Sequence, residues 1–168
     1  MIEIISPTKY TPKHNEISVF AAGSIEQGTA VDWQSSLKNS LSDQDNVVIF
    51  NPRRKEWEAS WVQDLSNPQF VEQVNWEQNY LERGLSTSCD IVYINIDPNT
   101  KSIITFGEFA QVFRSEWVVI NCPRGYWRRG NIEVMCQRAG VKLYEDFNES
   151  VLVLKLLIRL LKDLKDQS

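Results

Sequence analysis

Five short runs rich in β-formers, each followed by a helical pattern, constrain this chain more than any other feature. The runs are "EISVFAAG" (16–23), "NVVIFNP" (46–52), "CDIVYINID" (89–97), "EWVVINCP" (116–123) and "VKLYED" (141–146). Between them, apolar residues recur at helical spacing. Residues 31 to 42 place Val31, Leu37 and Leu41 inward, and residues 69 to 87 carry a stripe of Phe70, Val74, Leu81 and Leu85 with Glu72, Gln78, Asn79 and Glu82 opposite. Further helices are expected from "TFGEFAQVFRS", from "WRRGNIEVMCQRAG" up to Gly140, and from about Asn148 to Asp166. Strands separated by helices pair in parallel, with helices on both faces, and right-handed crossovers leave few topologies.

The expected architecture is therefore one α/β domain over residues 1–168: a flavodoxin-like three-layer sandwich with a five-stranded parallel sheet in the order 2-1-3-4-5. Ligands in such sheets bind beyond the carboxyl ends of the strands, near the switch point between the first and third. Four segments fall there: "AAGSIEQG" (21–28), "NPRR" (51–54), "NIDPNT" (95–100) leading to Glu108, and "NCPRGYWRRG" (121–130).

Composition narrows the function. A formal charge of -4 argues against a chain that wraps nucleic acid or coats an anionic membrane. The single histidine, His14, lies in a polar N-terminal segment, which leaves little material for a zinc site or a histidine triad. Cys89, Cys122 and Cys136 are widely spaced and read as reduced thiols, so a cytoplasmic location is expected. No signal peptide is visible, and "VLVLKLLIRLLKDL" is too short and too charged to span a bilayer. The first loop is neither a GxGxxG fingerprint nor a P-loop, and it lacks the Ser/Thr-rich cradle of an FMN flavodoxin.

Each candidate site residue has a structural reading beside a functional one. Gly23 permits a tight strand-to-helix turn, or lets a ligand approach the backbone. Arg53 and Arg54 are a solvated loop tip, or join Arg124, Arg128 and Arg129 in holding an anion such as a phosphate. Glu108 sits in an otherwise apolar segment, "SIITFGEFAQVF", beside Gly107 and between Phe106 and Phe109. It is either a helix-capping acid of the first turn or a carboxylate facing the crevice. The final helix is expected to bury Val153, Leu157, Leu160, Leu161 and Leu164, while Leu156 and Ile158 widen its stripe enough to suit either the same subunit or a second one. Trp57 and Trp61 read as lid, partner contact or core.

Taken in order, "VFAAGSI", Trp33-Gln34, "NPRR", "QVNWEQNYLERG…CDIVYINI", "ITFGEFAQ" and "CPRGYWRRGNIEV" resemble the nucleoside 2-deoxyribosyltransferase family, in its nucleoside 2-deoxyribosyltransferase-like branch, from about Ser18 to Val153. The resemblance implies a flavodoxin-like fold and cleavage of N-glycosidic bonds in deoxynucleosides or their 5′-monophosphates, by base exchange or hydrolysis. It implies no metal and no organic cofactor, a small-molecule nucleoside or nucleotide as partner, and a homo-oligomer. It places the nucleophile on Glu108, with Glu77 or Asp90 as supporting carboxylate. Phe20, Gly23, Ser24 and Asn51 would line the nucleoside, and Arg53 and Arg124 would hold a phosphate. The sequence departs from the family in two places. The separation of Glu77 from Asp90 is about a helical turn longer, which leaves Glu82 as an alternative to Glu77, and Ser102 stands near the place of an aspartate upstream of the nucleophile. A non-catalytic nucleotide-binding or scaffold protein on the same fold is the alternative.

Overall fold

The computed structural model describes residues 1–25, 30–54, 61–82 and 88–167. Leu85 and Trp57, named above, lie outside the described residues. Six strands form one parallel sheet: β1 (Ile2–Ile5), β2 (Ile17–Gly23), β3 (Val47–Asn51), β4 (Ile91–Asn95), β5 (Val118–Asn121) and β6 (Leu143–Tyr144), in the order β1-β3-β2-β4-β5-β6. With β1 set aside, the other five follow the expected order. The addition is β1, a four-residue edge strand paired to β3 in the register Ile2↔Val48 to Ile5↔Asn51. Its weak burial, with Ile4 alone fully inside, left little periodic signal for a strand.

Helices α1 (Trp33–Ser40) and α5 (Phe147–Lys165) cover one face of the sheet, and α2 (Pro68–Leu81), α3 (Ile103–Val112) and α4 (Arg129–Ala139) cover the other. Strand alternation decides which residue faces which layer. Val19, Ala21, Ile49, Ile91, Tyr93 and Val119 pack toward α1 and α5, while Phe20, Ala22, Phe50, Val92, Ile94 and Ile120 pack toward α2, α3 and α4. The central strands are buried along their whole length, as a sheet covered on both faces requires.

The helices correct three expectations. Val31 is 68% exposed, because α1 starts only at Trp33, where Asp32 caps it by accepting from the Ser35 N–H at 3.1 Å. In α2 the fully buried residues are Gln73, Trp76, Tyr80 and Leu81, while Phe70 and Val74 are half-buried. The aromatic ring positions, not the aliphatic ones, face the sheet, and Tyr80 stacks on Phe50 at 3.8 Å. In α5, Ser150, Val151, Leu154 and Ile158 are buried, whereas Leu160 and Leu164 are exposed. So many positions of that helix are apolar that periodicity alone did not single out the inner stripe. Among the described residues, no helix is long and apolar enough to cross a membrane.

Candidate active site

Two carboxylates meet between α2 and α3, on the face of the sheet opposite α1. Glu108 is only 7% exposed. It lies in the second turn of α3, whose first turn has no acidic residue, so helix capping and the macrodipole do not account for it. The main-chain N–H of Gly23, at the end of β2, donates to its carboxylate. Burial pushes its pKa up to about 8, the negative charge of Glu77 adds to the rise, and the Gly23 bond partly offsets it.

Glu77 projects from α2 toward the same place. Burial of its carboxylate end raises its pKa to about 7, against a hydrogen bond from Gln73 that favours the charged form. That bond, from Nε2 of Gln73 to Oε1 of Glu77, is 2.7 Å long and joins residues one helical turn apart. The same Nε2 donates to the carbonyl of Pro52 at 2.9 Å, and Oε1 of Gln73 accepts from the Ser6 hydroxyl at 2.5 Å. Gln73 therefore fixes Glu77 relative to the end of β3 and to the N-terminal segment. Sequence reading did not single it out. Its signal was a polar residue in register with Trp76 and Tyr80 on the buried side of α2. Glu82 is exposed beyond the end of that helix, which leaves Glu77 as the acid of the pair.

Gly23 is required for more than a turn. Its φ is +146°, and a Cβ there would stand 2.2 Å from the Asn95 carbonyl oxygen and 2.8 Å from the Trp33 ring. Only glycine brings the backbone N–H of this position up to Glu108. Ser24 follows it, fully buried. Its hydroxyl accepts from the Asp97 N–H at 2.9 Å and from Thr100 Oγ1 at 3.2 Å, and contacts the Ser102 hydroxyl. This cluster knits the turn after β2 to the turn after β4. Trp33 supports it from below, donating its indole N–H to the Ser24 carbonyl at 3.0 Å.

The remaining expected site residues lie elsewhere. Phe20 is 0% exposed and packs against Trp76 at 6.1 Å, three residues before the end of β2, so it belongs to the core. Asn51 faces the α1 layer. Its Nδ2 donates to Glu3 at 2.9 Å and its Oδ1 accepts from the Arg53 N–H at 2.9 Å, so it terminates β3. Arg53 is spent on its own fold: Nε donates to Gln34 Oε1 at 3.0 Å, and Nη2 to the carbonyls of Ala30 and Val31 at 3.2 and 3.1 Å. Arg124 is 83% exposed and paired with Glu145 at 2.6 Å. Asp90 precedes β4 at the amino edge of the sheet, about 16 Å from its carboxyl edge at 3.3 Å per residue. There it accepts from the Ser18 N–H and hydroxyl, both at 2.8 Å, and from Lys165. The structure thus brings Glu108, Glu77, Gly23 and Ser24 to one region and leaves Asp90, Asn51, Arg53, Arg124 and Phe20 outside it.

Two surface cavities of about 330 Å³ open at the carboxyl edge, one bounded by Ile103, Phe106, Tyr126 and Trp127, the other by Trp33, Asn95, Asp97 and Asn121. Neither has Glu108 or Glu77 in its wall. Among the described residues no group of three or more His, Cys, Asp or Glu side chains could hold a metal ion.

The model of the family described as nucleoside 2-deoxyribosyltransferase like matches residues 16–126, from β2 through the turn before α4. The chain belongs to that family. The match includes Gly23, Glu77 and Glu108 and all the turns that hold them. No curated protein matches the chain. Membership supports a role in related glycosyl transfer.

Proposed function

We propose that this chain breaks the N-glycosidic bond of a 2′-deoxyribonucleoside or its 5′-monophosphate, with Glu108 as nucleophile and Glu77 as the acid that protonates the departing base. The observation that carries this reading is the buried pair itself. Buried Glu108 and half-buried Glu77, each raised above its ordinary value, retain about one proton between them at neutral pH. One neutral and one charged carboxyl group is the pairing that glycosidic chemistry needs.

The Glu108 oxygen bonds to C1′ while the C1′–N bond breaks, and its electron pair leaves with the base. The proton of Glu77 goes to the base nitrogen. A second base or a water then attacks C1′, the C1′–O bond breaks, and the Glu108 carboxylate is restored. Glu77 takes back a proton from the incoming group. For Glu108 to act as nucleophile the proton of the pair must rest on Glu77, which costs energy because Glu108 is the more deeply buried carboxylate. The Gly23 N–H lowers that cost by stabilising the Glu108 anion. A substrate reaches the pair by displacing part of its cover, since Glu108 is all but enclosed.

A homo-oligomer belongs to the same proposal. The exposed row Leu152, Leu156, Leu160 and Leu164 along α5 supports it, because it is apolar and uncovered by the chain's own described residues.

The deciding experiment incubates the protein with deoxyinosine or its 5′-monophosphate, with and without free adenine, and separates the products by chromatography. Exchanged or released base, lost by several orders of magnitude in Glu108→Gln, supports the reading. An active Glu108→Gln protein removes it, and ligand binding without turnover by the unaltered chain assigns the protein instead to nucleotide binding on this fold.

A further inference from the structure

The basic residue of "NPRR" that remains open to a ligand is Arg54, not Arg53. The side chain of Arg54 is only 9% exposed, yet its Nε and Nη1 are buried with no hydrogen-bond partner among the described residues. A buried guanidinium with unmet donors is costly, and a structural arginine normally satisfies them. Two described neighbours leave them unmet. The Trp61 ring lies 5.0 Å from the guanidinium carbon and offers a π face, not a lone pair. The nearest carboxylate among the described residues, Glu72, stands at 3.8 Å, within reach of charge attraction but too far for a hydrogen bond. Glu72 is itself 57% exposed on α2, so little holds it in place.

The position is informative. Arg54 lies two residues after Pro52, whose carbonyl accepts from the Gln73 Nε2 that also bonds Glu77. Glu72 and Glu77 are five residues apart on α2, about 7.5 Å along the axis. The guanidinium, beside Glu72, therefore flanks the turn of α2 that carries Gln73, at the end of that helix nearer the carboxyl edge of the sheet.

We infer that Arg54 is the anion receptor of this site, that the anion is a phosphate carried by the substrate's sugar, and that Glu72 is a placeholder carboxylate which the phosphate displaces. The inference rests on the proposed glycosidic reading for the identity of the sugar, and specifies its substrate as the nucleoside 5′-monophosphate. A phosphate brings several strong acceptors to donors that now have none, and desolvated Arg–phosphate hydrogen bonds are among the stronger ones available.

The test is calorimetric binding of 2′-deoxyadenosine 5′-monophosphate, 2′-deoxyadenosine and inorganic phosphate to the unaltered protein and to Arg54→Gln and Glu72→Gln. The expected result is a mononucleotide Kd at least tenfold below that of the nucleoside. Arg54→Gln should erase that difference while leaving nucleoside affinity in place, and Glu72→Gln should tighten the mononucleotide several-fold. Equal affinities for nucleotide and nucleoside would overturn the inference. So would free phosphate binding that depends on Arg54 but is not displaced by the mononucleotide, which would make the site one for the inorganic ion. If Arg54→Gln does not fold, Glu72→Gln decides: unchanged mononucleotide affinity would mean that Glu72 holds no ligand's place. Nucleotide binding without turnover leaves Arg54's role standing and removes the glycosidic reading. Turnover with no phosphate preference does the reverse.

Discussion

The backbone N–H of Gly23 donates to the Glu108 carboxylate across the boundary between β2 and α3. Both residues are where they are for reasons of space: Gly23 because nothing larger fits against the Asn95 carbonyl, Glu108 because α3 packs directly over the sheet. Gly23→Ala should therefore act on fold and site together. The added methyl meets backbone at 2.2 Å, which cannot swing away, and the φ of +146° is unfavourable for alanine. A loss of about 3 kcal/mol in urea-denaturation stability is expected, with base release falling more than the folded fraction does.

The raised acidity constants make a signed prediction about stability. Glu108 has a folded pKa of about 8 against an ordinary 4.5. Between those values the unfolded chain has lost a proton that the folded chain keeps, so stability falls as pH rises through the window. Below it there is no penalty, and above it the penalty is complete. Glu108→Gln keeps the shape and cannot ionise. Its Tm should differ little from the parent at pH 4.5 and exceed it progressively up to pH 8, by the equivalent of several kcal/mol. A constant difference across that range would show that Glu108 ionises as freely in the folded chain as in the unfolded one.

Activity should depend on pH through the pair. If the working form carries one proton shared by Glu77 and Glu108, kcat/KM is bell-shaped, with limbs near 7 and 8. Glu77→Gln removes the charge that helps raise Glu108, so the acid limb should move to lower pH and the alkaline limb should vanish. The rate at the optimum should fall by about 10²- to 10⁴-fold, the usual contribution of a general acid. A pH profile unmoved by the substitution would separate the two residues.

Much of this was legible in the residues. The alternation of β-rich runs with helices specified the sheet order, because a parallel sheet with right-handed crossovers has few alternatives. Glu108 stood out as a carboxylate in "ITFGEFAQ", an apolar context that it does not leave. What could not be read was the partnering of polar side chains across the fold. Arg53 and Arg54 are adjacent and identical in type, yet one is bound by Gln34 and two carbonyls while the other has donors that no described residue meets. Only the path of the chain after β3 distinguishes them. Asn51 failed for the opposite reason: it is at the carboxyl edge, but strand alternation turns it toward Glu3 and away from Glu108. Gln73 was hidden because its signal, register with Trp76 and Tyr80, emerges only once the buried side of α2 is known.

Asp90 offers the sharpest check on which end of the sheet works. The resemblance implied a supporting role for Asp90, and its neighbours explain it without chemistry. It accepts two hydrogen bonds from Ser18, returns its own N–H to the Ser18 hydroxyl at 2.9 Å, and pairs with Lys165 near the end of α5. These contacts join β2, β4 and the C-terminal helix at the amino edge, a strand's length from Glu108. Asp90→Asn keeps an acceptor for Ser18 but removes the charge facing Lys165, which is partly exposed. Stability should drop by about 1 kcal/mol, since a partly screened ion pair contributes little more. kcat and its pH profile should stay within twofold of the parent. A hundredfold loss of kcat in a folded Asp90→Asn protein would move the reaction away from the α2–α3 pair.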